Sequence, residues 1–188
     1  MTDDAGAMTT DGSTQTDALV AYESMFGSSR AVAVAIAQGL GCSAVSIAEV
    51  GPKLPTLRLL VAGAPTHVHG LSRPQTRAEA VTWAADPARG LSLEPGHERG
   101  MREWLALLES TPPAIATFDT RANIPQLFSG AASHSIEQVL VTRGAVALEP
   151  PRSFLVDNRS QLVKGELERA FVWGRLLRGL LEARGAAA

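Results

Sequence analysis

Ala18-Leu-Val-Ala-Tyr-Glu-Ser-Met-Phe-Gly-Ser-Ser-Arg-Ala-Val-Ala-Val-Ala-Ile-Ala-Gln-Gly-Leu40 is an apolar run that feeds a turn of small residues and opens directly into a helical pattern. Ala18 to Tyr22 are short and apolar enough for a buried parallel strand, and Val32, Ile36 and Leu40 recur at helical spacing beside Ala33 and Ala37. Gly39 and Gly41 supply a stop. The junction points the free backbone N–H groups of a helix start outward, and Ser24, Ser28 and Ser29 add hydroxyls around Gly27. This geometry suits a phosphate. Glu23 stands against it: a carboxylate about 6 Å from a phosphate repels it by about 3 kcal/mol per unit charge at an effective dielectric near 20, so its side chain must point away or be paired. Arg30, just inside the helix, offsets that charge or is a solvated surface residue.

Outward from this unit, strands and helices alternate. Ala44 to Ile47 is a short strand candidate, and Gly51-Pro-Lys-Leu-Pro55 is a loop because its two prolines rule out a regular helix. Leu57 to Gly63 reads as the next strand and runs into a second loop, Ala64-Pro-Thr-His-Val-His-Gly70. Helical patterns follow over Arg73–Ala84 and Gly100–Glu109, separated by a polar stretch rich in Gly and Pro. Ala114 to Phe118 is a strand leading into a third loop, Asp119-Thr-Arg-Ala-Asn-Ile-Pro125. A helix is expected over Ser133–Arg143 with Ser133 as its N-cap. Val146–Leu148 and Ser153–Val156 are strand pieces interrupted by Pro150-Pro151, and a last helix spans about Glu166 to Glu182. The pattern predicts an α/β fold, a three-layer αβα sandwich whose mostly parallel sheet is covered by helices on both faces. Ligands bind such sheets beyond the carboxyl ends of the strands, where the three loops converge.

Composition narrows the function. With 17 basic and 19 acidic residues the formal charge is −2, which provides no field for nucleic acid or an anionic membrane surface. The single Cys42 forms no internal disulfide, reads as a buried small hydrophobe and fits a reducing, cytoplasmic setting. Residues 1–16 read as a disordered tail preceding one domain over 17–183, and no apolar stretch has the length of a membrane span. Trp83, Trp104 and Trp173 fall on predicted helices and are expected to be packing residues. Asp119 is expected to satisfy backbone N–H groups rather than to be catalytic. His67 and His69 without a carboxylate or thiol cluster make a poor zinc site. A nucleotide-hydrolysing P-loop is excluded by the missing Gly-Lys-Ser/Thr, and a phospho-receiver by the missing Asp at the end of the Leu57–Gly63 strand.

Tyr22-Glu-Ser-Met-Phe-Gly-Ser-Ser29, Gly63-Ala-Pro-Thr-His67 and Phe118-Asp-Thr120, in this order, resemble the flavodoxin-like family over about Asp17 to Gly179. The resemblance implies a five-stranded parallel sheet of order 2-1-3-4-5 with FMN at the switch point, an order for which flavodoxin is the general example. It implies a phosphate loop of Ser24, Met25, Phe26, Gly27, Ser28 and Ser29, with Phe26 where the family usually has a hydroxyl. It implies a ring site formed by Pro65, Thr66, His67, Val68, His69 and Gly70 and by Thr120, Arg121 and Ala122, where neither loop carries the family's usual Trp or Tyr. Either histidine then lies against the ring or, when protonated, favours the negative charge that reduction brings. The implied function is electron transfer by an FMN protein between a reductase and an acceptor; its oligomeric state is left open by the sequence, with a monomer favoured. Two alternatives stand beside it: an FMN-dependent NAD(P)H:quinone-type reductase, with the segment from Leu71 to Leu108 as a wall or lid, and a domain that has lost FMN and serves as a binding or regulatory module.

Overall fold

The computed structural model describes residues 17–68 and 70–186; the expected tail over 1–16 and His69 lie outside the described residues. β1 (Ala18–Tyr22) is followed by α1 (Ser28–Leu40), β2 (Ser43–Ser46) and β3 (Leu59–Pro65). Next come α2 (Pro74–Ala84), a short 3-10 turn over Pro87–Arg89, α3 (Met101–Leu107) and β4 (Ala114–Ala122). The chain closes with α4 (Gln126–Ser129), α5 (Ala132–Thr142), β5 (Val146–Ala147), β6 (Arg152–Val156) and α6 (Glu166–Ala186).

All sheet neighbours are parallel, in the order β2-β1-β3-β4, and the fifth position is shared by two segments. β5 pairs with Ala114 and Ile115, and β6 pairs with Phe118 to Ala122. The break falls at Pro150-Pro151, as expected, because two residues without an N–H cannot continue a ladder. Pairing with β6 also lengthens β4: Thr120, Arg121 and Ala122, expected in a loop, are the last residues of the strand. β3 begins at Leu59 rather than Leu57, where Arg58 and Leu59 donate to the Asp17 carbonyl at 2.7 and 3.2 Å and bring the strand into register.

Strand alternation divides the core. Ala18, Val20, Leu59, Val61, Ala116 and Phe118 face one side, where α1 and α6 cover them. Val32, Ile36 and Leu40 of α1 are fully buried there, each stabilising the fold by about 1.5–3 kcal/mol relative to exposure. Gly39 and Gly174 let the two helices touch, since a Cβ on either would collide with backbone carbonyls of the other. Ala21, Leu60, Ala62, Ala64 and Ile115 face the opposite side, under α3 and α5.

The β2–β3 connection has no helix. Ile47, Val50, Leu54 and Leu57 instead join Met101, Trp104, Leu105 and Leu108 in the second core, so α3, from the following crossover, covers this face. The Trp104 indole N–H donates to the Val50 carbonyl at 3.1 Å and the Glu109 N–H to Pro52 at 3.0 Å. Among the described residues no helix is long and apolar enough to cross a membrane. Cys42 is half-buried rather than buried, and burial pushes its thiol up to about 11, which keeps it protonated and unreactive.

Candidate functional site

Because the strands run in parallel, the segments after β1, β3, β4 and β6 leave from the same edge of the sheet and surround one cleft of about 330 Å³, a size that takes a small organic ligand. Of the residues expected from the sequence, Met25, Phe26, Ser28, Ser29, Pro65, Thr66, His67, Val68, Thr120, Arg121 and Ala122 line it. Ser24 lies behind the loop, in a neighbouring cleft with Arg30 and Glu94. Gly27 shapes the turn, and Gly70 faces an adjoining depression.

At one end of the cleft is the start of α1. Gly27, its N-cap, has φ 94°, a left-handed conformation that other residues adopt only under strain. Ser24 Oγ accepts from the Gly27 and Arg30 N–H groups at 3.2 and 3.3 Å and so braces the turn. Ser28 and Ser29, the first two helical residues, have N–H groups with no intrahelical acceptor. The Ser28 hydroxyl donates to the Ser160 carbonyl at 2.6 Å, and the Ser29 hydroxyl shares a hydrogen bond with Thr120 Oγ1 at 2.7 Å. These contacts join the helix start to the ends of β4 and β6. Helix-start N–H groups beside the Ser29–Thr120 hydroxyl pair, which keeps one proton free, form a donor set that fits a phosphate.

Glu23, the acid that stood against this site, and Asp119, expected to be structural, both lie outside the cleft lining. Glu23 turns through the sheet to the α3 side, where its Oε2 accepts the Met101 N–H at 2.7 Å at the start of that helix. Burial raises its pKa, against lowering contributions from Ser72, the Met101 N–H and Arg77. Asp119 is fully buried, and its Oδ2 accepts both the N–H and the hydroxyl of Ser133, at 2.9 and 2.6 Å. It therefore caps α5 from outside, and Ser133, expected as the N-cap, lies inside the helix as the donor. Burial also raises the Asp119 pKa, and the Ser133 bonds lower it.

The ring loop after β3 closes on itself through His67 and Gly70, which exchange backbone hydrogen bonds at 2.8 and 3.0 Å. Val68 at its tip has φ 42° and is 79% exposed, a strained place for a β-branched residue. Burial, and to a lesser degree Arg77, pushes the His67 pKa down, so its imidazole is neutral at neutral pH. Arg121 folds back on its own segment, its Nη1 donating to Ile124 O at 2.8 Å and Ser129 Oγ at 3.2 Å. Among the described residues no group of three or more His, Cys, Asp or Glu is placed to hold a metal.

One part of the lining has no counterpart in the sequence reading. Val156, Asp157, Asn158 and Ser160 form a fourth wall, shaped by Asp157 Oδ1, which accepts the Arg159 and Gln161 N–H groups at 2.8 and 2.9 Å. An aspartate followed by polar residues is the available signal for such a turn. Thr76, Glu79 and Trp83 of α2 form a further wall, within the Leu71–Leu108 segment expected as a wall or lid. Trp104 and Trp173 are packing residues as expected, but Trp83 is 44% exposed and lines the cleft, because α2 buries only Arg77 and Ala80.

Comparison with solved structures shows the fold. The chain is similar to a flavodoxin from the domain Archaea (TM-score 0.55, 14% identity, covering 88% of this chain and 98% of that one). It is similar to oxidised flavodoxin 1 from Bacillus cereus (0.54, 14%, 88% and 97%). It is also similar to the Flv1 flavodiiron core from Synechocystis (0.57, 14%, 92% of this chain and 37% of that one). No family model and no curated protein matches the chain.

Proposed function

From the flavodoxin-like fold and the chemistry of its cleft, we propose that the chain binds FMN and passes electrons between a reductase and an acceptor protein. The observation that carries this reading is the cleft itself, which has an anion-seeking helix start at one end and a largely apolar, aromatic-bearing lining at the other. The N–H groups of Ser28 and Ser29 donate to the phosphate, and Gly27 holds the turn open for it. Phe26, Pro65 and Val68 exclude water from the ring, while Thr66 fixes the neighbouring wall by accepting the Ala132 N–H at 3.0 Å. His67 faces the ring as a neutral imidazole. FMN, when bound, supplies reversible one- and two-electron chemistry.

The test is a titration of the purified apoprotein with FMN and, as the phosphate-free control, riboflavin, followed by visible absorbance and flavin fluorescence. Saturable binding with a strong preference for FMN is expected, because each charge-assisted hydrogen bond to the phosphate contributes about 1.5–3 kcal/mol. No binding, or equal binding of the two flavins, overturns the reading. The standing of α2 as a wall over the cleft favours one second reading, direct reduction of a small quinone by NAD(P)H. Steady NADPH oxidation by the loaded protein without any partner would identify that activity.

A further inference from the structure

α2 is an unusual wall. Thr76, Glu79 and Trp83, spaced three and four residues apart, present one stripe of the helix to the cleft. Only Arg77 and Ala80 are buried, so apolar packing gives this helix little hold on the body. Its seat is polar instead. Arg77 reaches Glu103 of α3 through both terminal nitrogens, at 3.3 and 3.2 Å, and donates to Ser72 Oγ at 3.0 Å. At its far end Trp83 has the Arg89 guanidinium 5.4 Å from its ring centroid, which restrains the indole. The loops that end β3 and β4 offer the cleft no Trp or Tyr.

An anion site at one end of a cleft and a partly exposed indole on its wall suit a ligand with a phosphate and an aromatic plane. We propose that Trp83 is the aromatic face against the flavin ring, and that Arg77 is the positioning residue that holds it there by seating α2 on α3. This inference rests on the FMN reading above. The wall thus comes from a helix beyond the loop, attached by one ion-pair cluster, and the ring site opens when that cluster is broken.

An indole in contact with a flavin quenches its fluorescence by donating an electron to the excited ring, whereas a phenyl group does not. The experiment compares bound-FMN fluorescence and FMN affinity in the full chain for wild type, Trp83→Phe, Trp83→Ala, Arg77→Gln, Arg77→Lys and Glu103→Gln. The wild-type complex is expected to be dark. Trp83→Phe should bind FMN with similar affinity but become severalfold brighter, and Trp83→Ala should be bright and bind about tenfold more weakly. Arg77→Gln should brighten the bound flavin with the indole still present, and Arg77→Lys should restore part of the quenching. Should Arg77→Gln fail to fold, Glu103→Gln, at the exposed end of the pair, gives the same readout. A wild type that binds FMN, with Trp83→Phe equally dark and Trp83→Ala equally tight, overturns this inference alone. Unchanged quenching in both Arg77→Gln and Glu103→Gln overturns the positioning role, and a wild type that binds no FMN overturns the inference and the functional reading together.

Discussion

Glu23 follows Tyr22 at the end of β1, one residue before the loop that shapes the start of α1, yet its carboxylate is buried on the other face of the sheet. Its Oε1 has no partner among the described residues. Because burial raises its folded-state pKa, the folded chain binds this proton more tightly than the unfolded chain does. Its contribution therefore favours folding below the ordinary carboxylate range and is lost as pH rises through the raised value. Glu23→Gln keeps an acceptor for the Met101 N–H and removes the charge. It should raise the midpoint of thermal unfolding at about pH 8 and give no advantage at about pH 4, where the wild-type group is protonated. A variant less stable at about pH 8 and unchanged at about pH 4 would show that the charge, attracted by Arg77, holds the fold. The need for Glu23 to turn away was legible in the sequence, since a carboxylate beside a phosphate site has few other places to go. Trp83 was not legible: α2 has no apolar stripe to show which of its faces is buried, so a tryptophan on it reads as core.

Among the elements, β1, α1 and the broken fifth strand follow directly from local chemistry, as apolar periodicity and two adjacent prolines act where they stand. The extension of β4 to Ala122 depends on β6, about 30 residues later in the chain, and local propensity does not report a partner at that distance. The same non-local pairing positions Thr120 to meet Ser29. The packing of α1 on α6 makes its own prediction. Gly174 lies against the Ile36 carbonyl, so Gly174→Ala forces the helices apart. It should destabilise the fold by about 1–3 kcal/mol despite the better helix propensity of alanine, read as a lower Tm in thermal melts followed by circular dichroism. Gly179→Ala, on the same helix with nothing near the added Cβ, is the control and should be neutral or slightly stabilising.

At the scale of the whole molecule, the cleft is built by segments after four strands, so a ligand that bridges them is linked to global stability. FMN at 100 times its Kd should add about 2.7 kcal/mol and raise Tm by about 5–10 °C, with riboflavin giving a smaller shift at equal concentration. An unchanged Tm at FMN concentrations expected to saturate the site would show that FMN does not bind the folded chain in preference to the unfolded one. The helix-free connection between β2 and β3 has a different consequence, for biosynthesis. The face of the sheet carrying Leu60 and Ala62 is covered by Met101, Trp104 and Leu105 together with Ile47, Leu54 and Leu57 of the β2–β3 connection, so a nascent chain that has paired its first three strands still presents that face only partly covered. A ribosome paused before residue 101 would therefore hold a half-covered apolar sheet open to chaperones, and release from that state would wait on the emergence of α3 and then α5.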